Sequence, residues 1–151
     1  GLAIHPTTGE LWETEHGPRG GDEVNVVKPG RNYGWPLVSY GVNYDGKPVS
    51  ASPTREGIEP AVHTWTPSIG ACGLTFVTGD TFKDWNGDLL AGALALTHLA
   101  HLNVNGTRVA GVEKLLDGQG RVRAVRMGPD GAIYVALEGP GRILRLSLIH
   151  I

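Results

Sequence analysis

One cysteine, Cys72, and one methionine stand among 151 residues. A single thiol rules out an intrachain disulfide framework and leaves the redox compartment open. No apolar run approaches the roughly 20 residues that span a bilayer as a helix. Charge of one sign is equally scarce. Thirteen Lys+Arg against fifteen Asp+Glu give a net charge of −2, and no basic stripe exists to neutralise phosphates, so nucleic-acid binding is excluded as the main task. Amphipathic helical periodicity is missing as well; apolar residues alternate or run in short blocks, which is the strand pattern. The chain starts at Gly1 without Met, in what reads as a strand, and shows no secretory leader, which a piece of a longer protein would not keep.

Glycine and proline are abundant. Together 23 Gly and 10 Pro make up about a fifth of the chain, against a usual share of roughly 12%. They punctuate short apolar runs, the composition of a sandwich, barrel or propeller. Hydrophobic residues at 40% suffice for a packed core. Strands are predicted over Leu2–His5, Leu11–Glu15, Glu23–Val27, Val62–Trp65, Leu74–Thr78, Leu89–Leu94, His98–Val104, Val112–Leu116, Val122–Met127, Ile133–Leu137 and Ile143–Leu148. Asp45-Gly46, Asn105-Gly106, Asp117-Gly118 and Asp130-Gly131 read as turn pairs, because glycine tolerates positive φ.

One pattern repeats. LAIHPTTGELWETEHG near the start and VRMGPDGAIYVALEGP near the end each give a strand, a Pro-containing turn with Gly, a second strand, then an acid and Gly; LTFVTGDTFKDWNGDLLAGAL is a looser copy. The turn glycines Gly9, Gly87 and Gly131 lie 78 and 44 positions apart. With one copy hidden in the longer gap, the period matches a four-stranded propeller blade of about 40–45 residues. The expectation is all-β, a partial propeller of about three and a half blades of four-stranded antiparallel sheets. That is too few to close a ring, since propellers have about four to eight blades; a small β-sandwich is the alternative. The propeller part spans 1–147. Residues 148–151 read either as a final strand or as an added tail.

The stretch from Glu15 to Pro36 is the most unusual. Gly17, Pro18, Gly20 and Gly21 free the backbone from regular pairing and expose carbonyl oxygens, and Asp22 and Glu23 add carboxylates. Carbonyls and carboxylates are what a hard cation such as Ca²⁺ prefers, although a solvated acidic turn has the same composition. Arg121 and Arg123, two apart in a predicted strand, point to one side, where paired guanidiniums suit carboxylates or face solvent. Trp65 is either a core tryptophan or an aromatic face for a planar ligand; Trp12, Trp35 and Trp85 read as core or turn packing. His98 and His101, three apart on a strand, fall on opposite faces and do not read as a metal pair.

EHGPRGGDEVN followed by GRNYGWP and YGVNYDGKP, then WTPSIGACGLTFVTGDTFKDWNGDLLAGAL and GRVRAVRMGPDGAIYVALEGPGRILRL, resemble the soluble PQQ-dependent aldose sugar dehydrogenases of the glucose/sorbosone dehydrogenase family. The resemblance runs to about Leu146 and implies the C-terminal portion of a six-bladed propeller carrying PQQ (pyrroloquinoline quinone) and calcium, normally periplasmic or secreted. It implies that the backbone oxygens of Gly17 and Pro18 hold the Ca²⁺ that contacts PQQ. Glu23 and the main chain of Tyr33 match a second, structural Ca²⁺, with Asp22 adjacent. His16, Tyr44, the Thr64-Trp65-Thr66 segment, Ala93-Leu94-Ala95, Arg121 and Arg123 match cofactor-binding positions. Ala95 stands where the family usually has a lysine, and Ala124 replaces an acid after the second arginine; both departures bear on PQQ affinity. The implied reaction is oxidation of the C1 hydroxyl of an aldose to the lactone, with an external electron acceptor. The family's catalytic histidine falls upstream, so no catalytic base is assigned here, and the piece alone is expected to be inactive. A Ca²⁺-stabilised propeller that binds sugar or protein and has lost PQQ is the alternative that Ala95 favours. A Ca²⁺-only lactonase would need several side-chain ligands converging on a channel, and the sequence shows no such set.

Overall fold

The structure is a computed structural model that describes residues 1–139 and 141–148. Eleven strands form three antiparallel sheets: β1 (Leu2–Ile4), β2 (Leu11–Glu15), β3 (Asp22–Val27) and β4 (His63–Trp65) in the first; β5 (Ala71–Phe76), β6 (Leu89–Ala93), β7 (His98–Asn105) and β8 (Arg108–Leu115) in the second; β9 (Arg121–Met127), β10 (Ile133–Glu138) and β11 (Arg142–Leu146) in the third. Each sheet is a meander in chain order, and the first strands of the three sheets, β1, β5 and β9, pack side by side. These are consecutive propeller blades. The only described helix is one 3-10 turn, Lys83–Trp85.

All eleven predicted strands are present, with no end moved by more than four residues and Leu11–Glu15 unchanged. The blade count differs from the expectation of three and a half. Gly9, Gly87 and Gly131 fall one in each sheet's first hairpin connection. The longer gap between the first two comes from the connection spanning residues 28–62 and not from a hidden copy. Of the tail, only Leu148 is described, and it is exposed; 149–151 lie outside the described residues.

Two apolar cores alternate with the sheets. Trp12, Val24 and Trp65 of the first sheet meet Leu74, Phe76, Leu89 and Leu102 of the second. On the far side of the second sheet, Leu90 and Leu99 meet Val122, Val125, Ile133 and Val135 of the third. The middle sheet is therefore covered on both faces, and all five residues of β6, LLAGA, are buried. A strand buried on both faces reads as a continuous apolar run, which is why β6 and the start of β7 do not alternate. Trp12 and Trp85 pack as the sequence suggests, but Trp35 does not: it sits exposed in the long connection. His98 and His101 are both buried. His101 lies between Asp88 (Nε2 to Oδ2, 2.8 Å) and Glu113 (Nδ1 to Oε1, 2.6 Å), with the Trp85 ring packed against it, tilted, at 4.2 Å.

At the end of the blades bearing the β2–β3 loop, the inner strands pinch together. Gly73 is the extra residue of a bulge in β5, and Arg123 is the extra residue of a bulge in β9. The two meet: a Cβ on Gly73 would stand 2.8 Å from Ala124 Cα and 3.1 Å from the Arg123 carbonyl oxygen, and its φ is +68°. Only glycine allows this approach.

Candidate functional site

Four separated segments converge at that end. The loop 16–21 between β2 and β3 is held by Asp22, the first residue of β3. Its Oδ1 accepts the Gly17 N–H at 3.0 Å, and its Oδ2 accepts the Gly70 and Ala71 N–H groups at 2.7 and 3.0 Å. The side chain is almost fully buried. Both oxygens of Asp22 are thus engaged by backbone donors, which makes it a brace between two loops; a metal would have to displace those donors. The Gly21 N–H donates to the Trp65 carbonyl at 2.8 Å, and Ala95 N–H donates to the Ile69 carbonyl at 2.8 Å. Loop 16–21, segment 65–71 and residue 95 are tied together by these bonds.

The loop is too tight for a side chain at Gly17 or at its neighbour Gly41. A Cβ on Gly17 or on Gly41 would fall 2.1 Å from the Gly20 carbonyl oxygen. What it presents is backbone: among the described residues, no hydrogen-bond donor engages the Gly17 or Pro18 carbonyl. No three His, Cys, Asp or Glu side chains among the described residues are grouped to hold a metal by themselves. A cation here would rely on those carbonyls.

His16 is exposed beside them, and its Nε2 lies 2.7 Å from the Ala71 carbonyl oxygen. A carbonyl only accepts, so Nε2 carries the proton and neutral His16 has Nδ1 as a bare acceptor. Trp65 is buried in the core, edge-on to His63, so its ring is a packing element and offers no open aromatic face. Its neighbour Thr66 is the exposed member of that segment, and Thr64 is half-buried. Ala93 and Leu94 are buried while Ala95 is exposed. Tyr44 is highly exposed in a short hairpin fastened to Arg19 through the Arg19–Val42 bridge. Among the described residues, no hydrogen bond, ion pair or ring contact joins Tyr44 to the rest of the group.

Arg121 and Arg123 do lie on one side, and a residue the sequence reading did not single out joins them. Arg121 Nε donates to Glu138 Oε2 at 2.9 Å; Arg123 donates to Glu138 Oε1 through Nε at 3.1 Å and also through Nη2. Arg123 also reaches Cys72 of the second sheet: Cys72 Sγ donates to its carbonyl oxygen at 3.1 Å, and Nη1 lies 3.7 Å from Sγ. The Glu138 hydrogen bonds lift the Arg123 pKa further, and the two arginines hold the Glu138 carboxyl below the ordinary carboxylate range. The signal for Glu138 was present in the sequence as the acid closing the last repeat.

A second group of acids lies on the other face of β2 and β3. Asn25 Nδ2 donates to Glu13, Glu23 and Glu15 at 3.0, 3.3 and 3.4 Å. Burial, and then the charges of Glu13 and Glu23, push the Glu15 carboxyl up from 4.5 to about 7; burial raises Glu23 as well. Asn25 is fully buried, and its Oδ1 has no partner among the described residues. Glu23 and Tyr33 also line one small cavity of about 20 Å³, room for a single water-sized occupant. The Tyr33 hydroxyl donates to the Val26 carbonyl and accepts the Lys28 N–H, which leaves its main chain for any ligand role.

Comparison with known proteins identifies the family. Residues 1–145 match the family model described as Glucose / Sorbosone dehydrogenase. The aldose sugar dehydrogenase YliI of Escherichia coli K12 is 40% identical over 151 residues, covering 97% of this chain and 41% of that protein. A crystal structure of a glucose dehydrogenase superposes with a TM-score of 0.92 at 43% identity, covering 97% of this chain and 43% of the other. The PQQ-bound aldose sugar dehydrogenase of Streptomyces coelicolor superposes with a TM-score of 0.73 at 26% identity, covering 97% and 42%. The chain thus spans about two-fifths of the length of these relatives. It belongs to the glucose/sorbosone dehydrogenase family.

Proposed function

We propose that the whole protein is a PQQ- and Ca²⁺-dependent aldose dehydrogenase, working in the periplasm or outside the cell. It oxidises the C1 hydroxyl of an aldose to the lactone and passes the electrons to an external acceptor. The observation that carries this reading is the convergence of loop 16–21, segment 66–71, Ala95 and the Arg121–Arg123 pair at one end of three blades.

The donor set fits the two groups. The Gly17 and Pro18 carbonyls are hard, unengaged oxygens held in place by Asp22, which suits Ca²⁺. Two guanidiniums suit a planar polycarboxylate. The orphaned Asn25 Oδ1 and the crowded carboxylates around it leave a local need for positive charge, which fits a second cation held by Glu23 and the Tyr33 main chain. When bound, PQQ supplies the hydride acceptor and Ca²⁺ polarises its carbonyl. The residues here then have defined work. Gly17 and Pro18 hold the metal, His16 Nδ1 offers an acceptor beside them, and Arg121 and Arg123 orient carboxylates. The proton-accepting base is contributed by a part of the protein outside this chain.

The test is reconstitution of the whole protein with PQQ and Ca²⁺, followed by dye reduction with a panel of aldoses. Turnover that needs both additions supports the reading, and no turnover across the panel refutes it. PQQ-independent sugar binding would favour instead the non-enzymatic propeller that Ala95 suggests.

A further inference from the structure

A guanidinium has two edges that can each grip a carboxylate, the Nε–Nη2 side and the Nη1–Nη2 end. Glu138 takes the side edge of both arginines. It accepts from Arg121 Nε and from Arg123 Nε and Nη2. The end edge of Arg121 makes no hydrogen bond to another described residue, and both arginine side chains stay about half exposed. Two like charges two residues apart would otherwise splay into solvent. One shared carboxylate removes that repulsion and leaves the pair with a net single positive charge.

The backbone supports the same geometry. Glu138 pairs directly with Arg121 in the β9–β10 register, and the bulge between Val122 and Ala124 inserts Arg123 as an unpaired residue. That extra residue swings Arg123 toward both Glu138 and Cys72. Bulges of this kind re-aim side chains next to sites. The Gly73 bulge, pressed on the Ala124 backbone, holds the insertion in place from the neighbouring blade.

We propose that Glu138 is a positioning residue. It clamps Arg121 and Arg123 by their side edges into one receptor and leaves the unbonded end edge of Arg121 for a ligand carboxylate. The inference rests on the reading of this end of the blades as a PQQ site, and it adds a residue that touches the arginines and not the cofactor.

The experiment is equilibrium titration of the whole apo-protein with PQQ in saturating Ca²⁺, with a thermal melt of each variant alongside. E138A is expected to weaken PQQ binding about tenfold, and E138Q by less, because the amide oxygen still accepts from one arginine. The E138A effect is expected to vanish in an R121A/R123A background, because Glu138 acts only through those side chains. Melts of the exposed E138 variants should stay near that of the unaltered protein. R121A/R123A weakening PQQ while E138A leaves it unchanged would overturn this inference alone. Tighter binding by E138A would also overturn it, by showing that Glu138 competes with the ligand. An E138A effect that persists without the arginines would show a merely structural role. PQQ binding that ignores R121A/R123A, or no binding to the unaltered protein, would overturn the cofactor-site reading and this inference with it.

Discussion

Substituting Asp22 by Asn changes one oxygen to an NH₂ group with almost no change in volume. In the structure three backbone N–H groups point at the two carboxylate oxygens, from Gly17, Gly70 and Ala71. An amide supplies one acceptor oxygen. Whichever way it is turned, a donor faces a donor on one side, and the side chain is buried, so no water repairs the loss. A hydrogen bond to a charged group contributes about 1.5–3 kcal/mol, and an unsatisfied buried donor costs about 1–3 kcal/mol. D22N should therefore destabilise the whole protein by about 2–4 kcal/mol in denaturant titration. D22A, which strips all three partners, should cost more. The same loop carries the Gly17 and Pro18 carbonyls, so Ca²⁺ affinity should fall with D22N even under conditions where the protein is fully folded. A D22N protein within about 0.5 kcal/mol of the unaltered one, with unchanged Ca²⁺ affinity, would refute the brace.

Three further outcomes follow from particular contacts. His101 bridges Asp88 and Glu113, and both it and Asp88 are buried; H101A should cost roughly 2–5 kcal/mol in denaturant titration, from the cavity left and the lost hydrogen bond to Asp88. The Glu15 carboxyl is raised by burial, then by Glu13 and Glu23, from 4.5 to about 7. A raised acid binds more protons folded than unfolded, so metal-free protein should lose stability as pH climbs from about 4.5 through 7. The loss is on the order of 1–2 kcal/mol once solvent screening is discounted, and E15Q should flatten that slope in melts run with a chelator. Ala95 is exposed at the converging end; A95K should tighten PQQ binding about tenfold, and an unchanged Kd would place residue 95 outside the cofactor's reach.

Much of the fold was legible because strands announce themselves locally. The alternation in Ile133–Leu137 and the turn pair Asn105-Gly106 specify hairpins without help from distant residues. The blade count was not, because a 78-residue gap reads the same whether it holds a blade or a long connection. In the site, strand period put Arg121 and Arg123 on one side, but the bulge that aims Arg123 at Glu138 and Cys72 was not legible. Glu138 could not be paired with them from sequence, since the meeting depends on a register shift in β9. Asp22 shows the limit from the other side. Its type and its place beside glycines suggested a metal ligand, yet the fold brings Gly70 and Ala71 to it from 48 and 49 residues away. Burial decided Trp65 and Trp35, and burial depends on which sheets pack, which no local pattern states.

The loop after β2 and the arginine pair of β9 are proposed to form one cofactor site that works through Ca²⁺. A PQQ titration of the whole protein, run with Ca²⁺ and again with chelator, tests it most directly. Saturable one-to-one binding is expected with Ca²⁺, weakened at least tenfold by the chelator and by R121A/R123A. Binding that is indifferent to both would contradict it.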